Sequence, residues 1–104
     1  MTKATFYFDR NVPYGFLIEG HSGFADEGED IVCASISSAA FMVANTISEV
    51  LKVNARTEVS DGKMKLTVNE EQRHITKDIL LGLKLHLESL AEQYPEFLET
   101  LTEV

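Results

Sequence analysis

Hydrophobic and polar residues alternate near the start of this chain: Thr5, Tyr7 and Asp9 interleave with Phe6 and Phe8, the period of two that gives a strand one dry and one wet face. Asn11, Pro13 and Gly15 mark a turn before Phe16, Leu17 and Ile18, so the pattern predicts a hairpin. Its second strand would run from about Gly15 to Gly20 and hand His21 to a loop. From Ser22 to Glu29 the chain is acidic and punctuated by Gly23 and Gly28, a composition that packs no core and reads as a loop. Asp30 then has the chemistry of an N-cap, which places Ile31, Val32 and Cys33 in the first turn of a helix reaching about Lys52. Val32, Ile36, Ala39, Val43, Ile47 and Val50 recur at the three-and-four spacing of one buried face.

Arg56 to Val59 and Met64 to Val68 flank an Asp61-Gly62 turn, a strong hairpin signal. Asn69 followed three residues later by Gln72 has the form of a capping box. It opens a second helix with Ile75, Ile79, Leu83, Leu87 and Leu90 as its apolar stripe, ended by Pro95. Residues 97–104 read as a short strand, with helix as the alternative. The order strand, strand, helix, strand, strand, helix, with a last C-terminal strand, defines an α+β class in which two helices pack on an antiparallel sheet.

Length bounds the organisation: 104 residues form one domain, 1–104, with one site. Seventeen acidic against nine basic side chains, a net charge of -8, disfavour nucleic-acid binding and suit a basic protein partner. A lone cysteine forms no internal disulfide and fits a reducing cytoplasm. No apolar run is expected to reach the roughly 20 residues of a membrane span, and no leader pattern opens the chain.

The chemistry centres on that cysteine. A thiol attacks only as its thiolate, which a helix N-terminus and a neighbouring imidazole both favour; Cys33 and His21 bring both within one short stretch. Orphan amides of the first helical turn would supply oxyanion donors. Glu29 and Asp30 oppose a further negative charge beside Cys33, unless Asp30 caps the helix or orients His21 as a third catalytic member does. The same residues also fit a small buried cysteine and a strand-end histidine satisfied by backbone, and spacing leaves both readings open. His74 and His86 fall on different parts of the second helix. The acidic loop lacks the calcium-loop pattern, no zinc spacing exists, and no cofactor is called for.

Gly20-His21-Ser22-Gly23, then Gly28, then Asp30-Ile31-Val32-Cys33-Ala34-Ser35 with Ser37 resemble the signature of the ribosomal-processing cysteine protease family, Prp. The specific part spans Gly20 to Ser38, while length and element order agree throughout. The resemblance implies an endopeptidase that removes an N-terminal extension from a large-subunit ribosomal protein and works as a homodimer, with a mobile loop over its site. It implies His21 as general base, Cys33 as nucleophile, and Gly20, Asp30 and Ser37 as residues that shape the site or hold substrate. Ser22 departs from the family's small apolar residue, and the aromatic first strand and C-terminal tail are less typical. The rivals are a non-catalytic module that docks on a ribosomal protein or assembly factor, and a thiol redox sensor.

Overall fold

A computed structural model describes residues 1–20 and 27–104, with the side chains of 27–30 outside the described part. Its elements run β1 (Thr2–Asp9), β2 (Val12–Glu19), α1 (Glu27–Asn45), β3 (Arg56–Ser60), β4 (Lys63–Thr67), α2 (Arg73–Gln93) and β5 (Leu98–Glu103). The five strands form one sheet in the order β3-β4-β2-β1-β5. All pairings are antiparallel except β1 with β5, which is parallel. The expected C-terminal strand is therefore present, and it makes the sheet mixed rather than wholly antiparallel.

The β1–β2 turn is made by Arg10 and Asn11, both in the left-handed region at φ 53° and 66°, the backbone that a tight hairpin requires. Pro13 and Gly15, expected to mark the turn, lie inside β2 instead. Tyr7 pairs with Gly15 and Phe8 with Pro13, so Tyr14 is the extra residue of a β-bulge. Its ring stacks on Tyr7 at 5.8 Å and carries the Arg73 guanidinium at 4.1 Å. Arg73 also donates to the Val68 carbonyl and pairs with Asp9, each at 3.1 Å, tying the start of α2 to the hairpin.

Thr2, Ala4 and Phe6 of β1, Phe16 of β2 and Met64 and Leu66 of β4 are buried. The apolar members join Val32, Ile36, Ala40, Val43 and Ile47 of the first helical segment and Leu80, Leu83 and Leu87 of α2 in one core. The helical stripe thus steps through Ala40 rather than Ala39. Val50 is 72 % exposed because the helix changes character first. The Thr46 hydroxyl bonds back to the Met42 carbonyl at 2.8 Å, a contact that bends helices. The next turn, Thr46–Val50, is π-helical and closed by Leu51 N–H to Thr46 O, which rotates Val50 off the core face.

Ile31–Val50, with Glu49 its only charge, is long and apolar enough by length and composition to cross a membrane, at mean hydropathy 1.6. This corrects the expectation that no run reaches that length. Here the segment packs its Val32-to-Ile47 face into the core under the sheet.

Asn69 caps the 3-10 turn Glu70–Gln72 that leads into α2, its side chain accepting from Gln72 N–H at 3.2 Å, whereas α2 itself begins after Gln72 without a side-chain cap. The buried face of α2 is Thr76, Leu80, Leu83 and Leu87, whereas Ile75 is exposed and Ile79 and Leu90 are half-buried. Thr76 is fully buried and its hydroxyl has no hydrogen-bond partner among the described residues. An orphaned buried hydroxyl costs about 1 kcal/mol or more, so Thr76→Val is expected to raise Tm by about 5 °C in thermal denaturation.

Candidate active site

One end of the sheet gathers the first residue of β1, the last residues of β2 and the β3–β4 turn, and α1 crosses over them. Between these elements lies a cavity of about 170 Å³ lined by Thr2, Ile18, Gly20, Cys33, Ile36, Ser37, Ala40, Phe41, Val59, Ser60, Gly62, Lys63 and Met64. Three of the five residues singled out from sequence meet here: Gly20, Cys33 and Ser37. Cys33 is half-buried and free, so its sulfur is neither sealed in the core nor loose on the surface. Ser37 follows one helical turn later on the same side.

Gly20 is held by backbone geometry. Its φ is +102°, and a Cβ there would stand 2.4 Å from the Met1 carbonyl oxygen, so only glycine fits. Its N–H donates to the Gly62 carbonyl at 3.1 Å, joining the strand end to the β3–β4 turn. His21 is the next residue in sequence and lies outside the described residues. Asp30 belongs to α1 by its backbone, and its side chain is also outside them.

The helix start differs from expectation. Because α1 is already helical at Glu27, Asp30 lies within its first turn instead of capping it, and Cys33 sits in the second turn. The Cys33 amide is therefore committed to the intrahelical ladder, and the orphan amides lie one turn before the thiol. Ser37, which lines the cavity, is the polar residue that α1 itself offers beside Cys33.

Two contributions to this site are absent from the sequence reading. The β3–β4 hairpin supplies a wall through Val59, Ser60, Gly62, Lys63 and Met64, and Thr2 supplies a buried hydroxyl. The signal for Thr2 lies in the alternation that puts Phe6 and Phe8 on the core side: carried back through Ala4, it makes Thr2 an inward polar residue. The hairpin wall has no local signal, because it depends on β2 pairing with β4 across the intervening helix. Among the described residues no group of acidic, histidine and cysteine side chains forms a metal cluster.

A free, partly accessible thiol in a cleft walled by strand ends is the arrangement that a thiol-dependent hydrolase needs. The family model described as Cysteine protease Prp matches residues 1–99. The chain belongs to the Prp family of cysteine proteases. A curated relative, the ribosomal processing cysteine protease Prp of Bacillus subtilis (strain 168), is 23 % identical over 95 residues, spanning 86 % of this chain and 85 % of its own. Among solved structures, SMU.848 from Streptococcus mutans superimposes with a TM-score of 0.83 at 25 % identity, covering 99 % of this chain and 96 % of that one. The essential ribosomal processing protease Prp from S. aureus, in complex with a substrate peptide, matches with a TM-score of 0.89 at 19 % identity over 99 % of this chain and 100 % of its own. The same S. aureus protease covalently linked to a product peptide gives 0.86 at 20 % identity.

Proposed function

We propose that this protein is an endopeptidase that removes the N-terminal extension of a large-subunit ribosomal protein, with Cys33 as nucleophile and His21 as general base. The observation that carries this reading is the placement of Cys33: a half-buried free thiol lining the same cavity as Gly20, the residue bonded to His21. His21 takes the thiol proton, the thiolate attacks the peptide carbonyl, and the imidazolium returns the proton to the leaving amine. Water then hydrolyses the thioester. Ser37 holds the oxyanion or the substrate backbone from the cavity wall, Gly20 keeps the approach open, and Asp30 shapes the start of α1. The ribosomal substrate rests on what the relatives' names say of those proteins, and the net charge of -8 favours a basic ribosomal protein.

The protein is read as a cytoplasmic homodimer. A lone free cysteine accords with the compartment. The second copy accords with an apolar groove between α1 and α2 lined by Ala34, Ser38, Ala39, Met42, Ile79 and Gly82. That groove has no Asp, Glu, Lys or Arg in its lining, which includes His86, so two acidic copies meet there without opposing carboxylates.

The experiment is incubation with the organism's own extended ribosomal protein followed by intact-mass measurement. A loss equal to the extension is expected with wild type and no loss with Cys33→Ser. Full-length substrate after prolonged incubation with wild type, or equal trimming by Cys33→Ser, overturns the proposal.

A further inference from the structure

Thr2 is one of the few polar residues of the core, 3 % exposed. Its hydroxyl oxygen stands 3.7 Å from Cys33 Sγ and 3.4 Å from the Gly20 carbonyl oxygen. Its own backbone is fixed from the far side, with Thr2 N–H donating to the Phe97 carbonyl at 2.9 Å. A buried hydroxyl has one proton to give and lone pairs to receive with, and here both functions have a partner. With the sulfur protonated, S–H donates to Thr2 Oγ1 while the hydroxyl donates to Gly20 O. With the sulfur ionised, rotation about the threonine Cβ–Oγ bond turns the same proton onto the thiolate.

We propose that Thr2 is a positioning residue for the nucleophile: its hydroxyl orients the Cys33 sulfur in the cavity and donates to it once the thiol proton has left. The inference rests on the reading of Cys33 as nucleophile and adds a group from outside the Gly20–Ser38 motif, contributed by the first strand. Hydrogen bonds to charged groups are worth more than those between neutral ones, so the hydroxyl acts mainly on the ionised sulfur. Valine reproduces the shape of threonine without that proton, whereas serine keeps the proton and loses a methyl group.

The test measures the rate of Cys33 alkylation by iodoacetamide at pH 7 in folded protein, together with kcat and KM for cleavage of the extended ribosomal protein. Thr2→Val is expected to slow alkylation about tenfold and to lower kcat by a similar factor with KM within about twofold, the size expected for one charge-assisted hydrogen bond. Thr2→Ser is expected to restore both rates to within about threefold of wild type. Thr2→Ala, which also lacks the hydroxyl, carries the same expectation as Thr2→Val and replaces it should valine not fold. Alkylation of Thr2→Val or Thr2→Ala at the wild-type rate, or Thr2→Ser as slow as either, reduces Thr2 to packing and overturns the inference alone. An inert Cys33 in the folded wild type overturns the protease reading and this one with it.

Discussion

Replacing His21 with alanine is expected to lower kcat/KM for removal of the extension by about a thousandfold, the middle of the range that one general base contributes. That corresponds to about 4 kcal/mol of transition-state stabilisation. The expectation starts from the cavity: Cys33 faces a space that also touches Gly20, and the chain passes directly from Gly20 to His21. Among the described lining residues there is no imidazole and no carboxylate; apart from Cys33 and Lys63 they are apolar, glycine or hydroxyl-bearing. Without the imidazole the thiol gives its proton to water, and the leaving amine takes one from water. The measurement is single-substrate kinetics by mass spectrometry on protein whose thermal melt matches wild type. A variant that retains more than a tenth of wild-type kcat/KM removes His21 from the mechanism. Peroxide oxidation of Cys33 separates a protease from a redox sensor, since a sensor keeps its response in His21→Ala while the protease loses turnover.

The largest effect on stability is expected at Gly15. This residue lies in the central strand β2, opposite Tyr7 of β1 on one side and Thr67 of β4 on the other, immediately after the bulged Tyr14. A Cβ at Gly15 would stand 2.2 Å from the Leu66 carbonyl oxygen and 3.0 Å from Thr67 Cα. Both are backbone atoms of a paired strand, so no side-chain rotation relieves the clash; β4 must move away or the pairing must break. Displacing β4 also shifts Met64 and Leu66, two core residues, and overpacking of this kind costs at the upper end of about 1–3 kcal/mol or more. Gly15→Ala is therefore expected to destabilise by about 3 kcal/mol, lowering Tm by more than about 12 °C in a domain of this size. Differential scanning calorimetry checks it, and a fall of less than 3 °C shows that the sheet adjusts.

The parts of the fold that were legible in the sequence are those governed by neighbours within a few residues. The Asp61-Gly62 turn, with Gly62 at φ 72°, and the Asn69 cap are local devices whose chemistry names them. The two helices announce themselves by periodicity, yet the stripe alone does not settle which of two adjacent apolar residues points inward. Ala40 displaces Ala39 and Thr76 displaces Ile75, because the sheet rather than the helix decides the rotation. Nothing local marks the left-handed Arg10, since arginine carries no preference for that backbone, and Pro13 and Gly15 point to a turn a few residues too late. At the site, Gly20, Cys33 and Ser37 were readable because they sit within one motif. Thr2 and the hairpin wall were not, being brought there by strand pairings that span most of the chain.

The parallel pairing of β5 with β1 bears on biosynthesis. Thr2 N–H finds its acceptor at Phe97, so a growing polypeptide carries Cys33 long before the strand that pairs with β1 has left the ribosome. A nascent or prematurely terminated product that stops short of Phe97 has an open edge along β1, an unsatisfied amide at Thr2 and an unbraced thiol pocket. Assembly of the pocket's β1 wall thus waits on the final stretch of translation.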